Sequence, residues 1–108
     1  YFPMKEIKNY AVQMYGGPAG SEQGVRAKIF LFDSTNVTAG ILSFYDAGFS
    51  IPKDKKVGIS VRMAMYVNEL HSIVDILRNE APIYLLWQES EQRGILSTSQ
   101  EPVGEGEL

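Results

Sequence analysis

The sequence predicts an α+β fold, in which an antiparallel meander packs around one principal helix in the order β-β-β-β-α-β-β. From Val57 to Met65, apolar residues alternate with Gly, Ser, Arg and Ala, which is the period of a strand. From Tyr66 to Leu77, the apolar residues instead recur at helical spacing. Pro82 then ends the helix, because proline lacks the amide donor that a helix needs. The chain around this strand and helix reads as sheet.

The remaining elements follow from alternation, β-rich composition and turn residues. Asn68 is the predicted N-cap of the helix, because its side-chain oxygen can accept from a first-turn amide. Gly16–Gly24 is a glycine-rich turn, and residues 46–56 form a loop that carries most of the clustered lysines. The other predicted strands are residues 7–15, 25–32, 38–45, 83–88 and 93–99.

Length and composition indicate one globular domain. The chain has 108 residues, of which 44% are hydrophobic and 21% charged. Within residues 1–108 we expect a loose lead-in over 1–6, a folded core over 7–99 and an acidic, mobile tail over 100–108. The chain has no cysteine, so disulfides, thiolate metal ligands and a cysteine nucleophile are excluded. With no apolar run of ~20 residues and no signal-peptide pattern, we expect a cytoplasmic location without membrane contact.

The net charge of −3 conceals an uneven distribution. Residues 1–65 contain eight Lys/Arg and five Asp/Glu, giving +3, whereas residues 66–108 contain two and eight, giving −6. A negative total argues against a protein that grips duplex nucleic acid. The first half nevertheless has a basic excess that a binding surface can use.

One helix is too narrow for the predicted sheet. Six strands at ~4.8 Å spacing make a sheet roughly 25 Å wide, whereas a helix covers ~10–12 Å. The sheet must therefore close into a barrel or be covered by a second subunit. Because apolar residues also occupy the second face, we predict a homodimer. Those residues are Phe30, Phe32, Ile41, Tyr45, Tyr84 and Leu86.

The sequence contains no convincing catalytic or metal-binding pattern. His71 is the only histidine, and its one candidate partner, Asp75 at i+4, is equally a helix-surface contact. The glycines of Gly16–Gly24 precede a strand and lack the Lys-Ser/Thr of a phosphate loop. No residues have the spacing of a metal site, and no G-x-S-x-G is present. We expect a non-enzymatic protein with no catalytic residues, metal or cofactor.

A basic and aromatic strand face is the most informative candidate site. Two cations and two aromatics alternate along residues 26–32, with Gln13, Tyr15 and Tyr84 as candidate neighbours on adjacent strands. Such a face can stack unpaired bases and hold phosphates. The alternative is that the aromatics are buried at a dimer or barrel interface, with the cations at its rim. We favour this alternative over nucleic-acid binding, since apolar strand faces usually belong to the core. The candidate nucleic-acid-binding residues are Arg26, Lys28, Phe30, Phe32, Tyr45, Lys53, Lys55, Lys56 and Arg62.

Four meandering strands followed by one helix, over Ile7 to Glu80, resemble the single-stranded-DNA-binding fold of the Whirly proteins and the related transcriptional coactivators. The resemblance implies a dimer that packs helices between sheets and grips single strands through the sheet surface. The short lysine-rich signature of Whirly proteins is missing, and the last two strands are additional to the minimal pattern. An OB-type barrel is the alternative fold, although it places its helix after the third strand.

Three functions remain open at this point. The first is a module that binds single-stranded nucleic acid, and the second is a protein-interaction or assembly module that meets another protein. The third is an enzyme whose site forms across a dimer interface, which would require carboxylates and His71 to converge from two subunits.

Overall fold

The computed structural model describes residues 4–18 and 21–98, and it confirms the α+β class. Eight strands form two sheets beside one α-helix, and short 3-10 turns cover Ser21–Gly24 and Val67–Glu69. The elements are β1 (Met4–Ile7), β2 (Asn9–Met14), β3 (Val25–Phe32), β4 (Thr38–Tyr45), β5 (Lys55–Val57), β6 (Ser60–Tyr66), α1 (Leu70–Asn79), β7 (Ile83–Gln88) and β8 (Arg93–Thr98).

The larger sheet has five strands in the order β2-β3-β4-β6-β5. Its neighbours are antiparallel except β4 and β6, which run parallel with Gly40 opposite Val61 and Tyr45 opposite Tyr66. The predicted meander therefore holds only in part. The chain between β4 and β6 returns to the end of the sheet at which β4 begins, so that β6 runs parallel to β4. The smaller sheet is antiparallel, in the order β1-β7-β8.

The two sheets bury their apolar faces against each other. β3 and β4 contribute Ile29 and Phe44 to the core, and neither side chain is exposed. The smaller sheet contributes Leu85 and Trp87, and α1 contributes Leu77 at the margin. The second sheet thus provides the cover that the sequence reasoning assigned to another subunit. The homodimer remains a prediction, but packing does not require it.

Close approach of the sheets depends on Gly40. A Cβ built on Gly40 would press on the Leu85 side chain from the smaller sheet and lie 2.9 Å from the carbonyl oxygen of Val61. No side chain fits at that position without displacing a neighbour.

Several predicted boundaries differ from the structure. The lead-in predicted over residues 1–6 is corrected in part, because residues 4–7 pair with β7 as β1. The alternation from Val57 to Met65 spans a hairpin rather than one strand, since Gly58 turns the chain with a φ of 63°. Asn68 is not the N-cap: it lies in a 3-10 turn, and Glu69 precedes α1 without a side-chain capping bond. Residues 1–3 and the predicted tail, 100–108, lie outside the described residues.

Within the described ranges, α1 is the longest helix, and no helix there is long and apolar enough to cross a membrane.

Candidate nucleic-acid interface

The candidate site lies on the face of the five-stranded sheet that points away from the core. Along β3, buried residues alternate with half-buried ones, so that Lys28 and Phe30 project from the outer face. The strand register places Lys28 beside Ser43 of β4. It also places Ile41 beside Arg62 of β6, and Arg62 beside Lys55 of β5. Residues distant in sequence therefore share one surface.

Five of the nine predicted residues line one cavity of about 220 Å³ on this face. We call it the basic groove. β3 and β4 supply Lys28 and Tyr45, β6 supplies Arg62, and the chain around β5 supplies Lys53 and Lys55. The groove is completed by Ile41, Ser43, Pro52, Met63 and Ala64.

The basic groove concentrates positive charge. Among the described residues that line it, four are cations and none is a carboxylate. Across residues 4–18 and 21–98, the side chains of Lys28, Lys53, Lys55 and Arg62 have no hydrogen-bond or ion-pair partner. Other cations of the chain are paired, as in Lys8 with Glu6 at 3.1 Å. The groove therefore attracts anions.

Arg62 carries the most specific signal in the basic groove. Its Nε atom is buried and has no hydrogen-bond partner in the described part of the chain. A buried donor without an acceptor is costly, and native proteins rarely leave one unless a water or ligand completes it. Arg62 lines the groove, so a reorientation of its side chain would bring this donor to an anionic oxygen bound there.

Asp54 holds the lysine-bearing loop against the fold. One carboxylate oxygen accepts from the backbone amide of Ala64 in β6 at 3.0 Å, and the other accepts from the amide of Gly94 in β8 at 3.0 Å. The two bonds fix the backbone between Lys53 and Lys55, and the pairing of Lys55 with Arg62 adds a further constraint on the second lysine. The sequence does not reveal this role, since an aspartate between lysines is typical of a solvated turn.

Four predicted residues lie outside the basic groove. Arg26 forms an ion pair with Asp46 at 3.0 Å and donates to the carbonyl of Tyr15 at 2.7 Å. Hydrogen bonding to Asp46 also raises the pKa of the Arg26 guanidinium. Lys56 donates to the Gly58 carbonyl at 2.9 Å and lines a different cavity. Phe30 and Phe32 are half-buried on the same outer face, but neither lines the groove.

A neighbouring cavity of about 290 Å³ adjoins the basic groove. The two share Lys28, Ser43 and Tyr45, and the neighbour adds Gln23 and Val25. We call it the side cavity. The alternation along β4 could have placed Ser43 on the outer face, because Ser43 lies between the buried residues Leu42 and Phe44. Gln23 could not have been found this way, since it lies in a turn.

Of the other predicted neighbours, Gln13 of β2 lies opposite Lys28, and its side-chain oxygen accepts from the Tyr15 hydroxyl at 3.1 Å. Tyr84 and the histidine are placed elsewhere. Tyr84 belongs to β7 in the smaller sheet and is not on this face. His71 is exposed on α1, and the Asp75 carboxylate accepts from Asn79 at 2.7 Å. No group of three or more His, Cys, Asp or Glu residues among those the structure describes is placed to hold a metal ion.

Comparison with protein-family models, curated proteins and solved structures gave no match. The function of the site is therefore argued from its own geometry and chemistry.

Proposed function

We propose that this protein binds single-stranded nucleic acid through the basic groove. The observation that carries the proposal is the convergence of four cations on one concave strip, where none of them has a hydrogen-bond or ion-pair partner among residues 4–18 and 21–98. Phosphate oxygens match this charge, and they can accept from the Arg62 guanidinium once it turns toward the groove.

The size of the groove favours a polymer over a small metabolite. Its volume of about 220 Å³ lies below the ~300–1,000 Å³ of typical small-molecule sites. Such a space fits one anionic group of a longer ligand. The adjoining side cavity extends the track, as expected for a chain that crosses the sheet.

Charge and aromatic placement favour a single strand over a duplex. The net charge of −3 gives no overall attraction for the dense charge of a duplex. The half-buried rings of Tyr45 and Phe30 lie on the same outer face as the cations. Unpaired bases can stack on such rings, whereas bases inside a duplex cannot.

The direct test is fluorescence anisotropy of labelled single-stranded oligonucleotides, measured from low to moderate salt. If all four groove cations contact phosphates, the logarithm of the association constant should fall against the logarithm of salt concentration with a slope of about −3, at roughly −0.7 for each neutralised phosphate. Absence of binding at low salt would refute the proposal. A salt-tolerant protein partner captured in place of nucleic acid would then favour the assembly-module alternative.

Arg62→Gln and Arg78→Gln form a matched pair of variants. Both remove one guanidinium charge, but Arg78 is exposed on α1 and does not line the groove. We expect Arg62→Gln to weaken binding and to make the slope shallower by about 0.7, because one phosphate contact is lost. Arg78→Gln should bind like the wild type. Equal losses in the two variants would mean that general charge, rather than the groove, controls affinity.

We propose the homodimer only as a separate property, to be tested by sedimentation at several protein concentrations. Its support is the edge strand β2, where Val12 and Met14 are exposed, since exposed edge strands can pair with another chain. A monomer at every concentration would remove the homodimer and leave nucleic-acid binding untouched.

A further inference from the structure

We infer that the two adjoining cavities divide one nucleotide between them: the basic groove takes the phosphate, and the side cavity takes the unpaired base against the ring of Tyr45. This inference rests on the proposed function and specifies it. The proposed function needs only an anionic strand, whereas this division requires that bases themselves contribute to affinity.

The two cavities are contiguous but chemically different. They share Lys28, Ser43 and Tyr45, so these residues form a common border. On one side lie Lys53, Lys55 and Arg62. On the other side the lining adds a primary amide and an aliphatic side chain, from Gln23 and Val25, and no further cation. Three of the four cations therefore line the basic groove alone, and only Lys28 lines both cavities.

The side cavity offers the groups that a base uses. Tyr45 is half-buried and provides an aromatic border, and stacking on such a ring is tolerant of base identity. Val25 is buried and provides an apolar wall. The exposed Gln23 amide can both donate and accept, which matches the mixed donors and acceptors at base edges.

The turn that carries Gln23 is fixed by packing and hydrogen bonding. The carbonyl of Gly24 accepts from the amide of Asp46 at 2.8 Å. Gly24 has a φ of 92°, and a Cβ on it would lie 2.7 Å from the Phe49 ring, so glycine is required. Gln23 itself adopts a φ of 60°. The side cavity thus has a defined backbone on the border opposite Tyr45.

The test compares two labelled strands with equal numbers of phosphates, one with normal bases and one made entirely of abasic units. Wild-type protein should bind the base-bearing strand about 5- to 150-fold more tightly, the range expected for one stacked base. Tyr45→Leu should abolish that ratio while keeping the salt slope. Tyr45→Phe should retain the ratio, because the ring remains. Arg62→Gln should have the opposite effects. It should make the salt slope shallower and leave the ratio of affinities for the two strands unchanged.

Gln23→Gly provides a second variant, since glycine accepts the left-handed backbone and removes the amide without altering the sheet. If the Gln23 amide contacts the base, this variant should lower the ratio of affinities for the base-bearing and abasic strands. The variant tests the division independently of whether Tyr45→Leu folds. Equal binding of both strands by the wild-type protein would overturn this division while leaving strand binding intact. If neither strand binds, the proposed function itself is wrong, and the division falls with it.

Discussion

At the scale of single residues, Asp33 shows how a side chain can fix a turn and tie it to another sheet. Its carboxylate accepts from the hydroxyl of Thr35 at 2.7 Å and from the amides of Thr35 and Val37 at 2.9 and 3.1 Å. Lys5 of β1 adds an ion pair at 3.4 Å. These bonds favour the charged carboxylate, with the Thr35 hydroxyl foremost, and lower the pKa of Asp33 to about 2.

The lowered pKa predicts a pH-dependent contribution to stability. Because the folded pKa of Asp33 is about 2 and the unfolded value is about 3.9, the contribution is complete above about pH 4. It is lost as the pH falls through the folded value. In thermal melts, Asp33→Asn should melt below the wild type at pH 7, and the gap should narrow between about pH 4 and pH 2. Glu91→Gln, which removes an equal charge from an exposed loop, is the control. A gap that is constant with pH would contradict the assignment.

At the scale of elements, the loop between β4 and β5 is held at its start by Asp46 and Phe49 and at its end by Asp54. Both carboxylate oxygens of Asp54 are used, one by β6 of the larger sheet and one by β8 of the smaller. The loop is mostly exposed, as are Lys53 and Lys55 within or beside it. The geometry of the basic groove therefore depends on a residue that does not line it.

Asp54→Asn should lower both stability and strand affinity. The asparagine amide group would face a backbone N–H donor, so one of the two bonds would be lost with a cost of about 1–3 kcal/mol in the free energy of unfolding. Chemical denaturation measures the first effect, and anisotropy at a temperature where both proteins are folded measures the second. Glu91→Gln serves as the charge-matched control. Unchanged affinity despite lower stability would show that Lys53 and Lys55 do not depend on this anchor.

At the scale of the whole molecule, two sheets pack face to face, and small residues allow their close approach at one point. Gly40 lies where Leu85 of the smaller sheet approaches β4, and its neighbour Ala39 is almost fully buried. A wider side chain would separate the sheets or displace Leu85. The contact between the sheets therefore leaves no room for a larger side chain at Gly40.

Gly40→Ala should lower the free energy of unfolding by about 1–3 kcal/mol, because an added methyl overpacks the contact between the sheets. Gly16→Ala is the matched control: no atom lies within 4 Å of a Cβ placed there, so steric overlap should not contribute. Urea denaturation of both variants measures the difference. Equal stability of the two would show that the sheets can move apart without cost.

Strand faces could be predicted from sequence, but strand partners could not. Alternation identified the bounds of β3 and β4, because one face of each strand is buried throughout. The same signal joined β5 to β6, since a hairpin turn at Gly58 can preserve the alternating pattern. Division into two sheets and the parallel β4–β6 pair depend on long-range pairing, which local periodicity does not encode.

The same limit applies to the candidate site: the sequence predicts which face of a strand a residue occupies, but not which strand lies beside it. Placing Lys28 on an outer face required only the period of β3. Bringing Arg62 and Lys55 beside each other required their register, and the ion pair of Arg26 depends on where Asp46 arrives after β4. Composition therefore identified the kinds of residue in the groove, whereas tertiary structure selected its members.

The bond between Asp54 and Gly94 also has a consequence for the order in which the protein matures during synthesis. The two residues are forty positions apart, and Gly94 belongs to the last strand. A nascent chain that has not yet reached Gly94 can make only the bond to Ala64, so its lysine loop is held at one point instead of two. Completion of the basic groove is thereby coupled to synthesis of β8, because the second anchor of Asp54 lies on that strand.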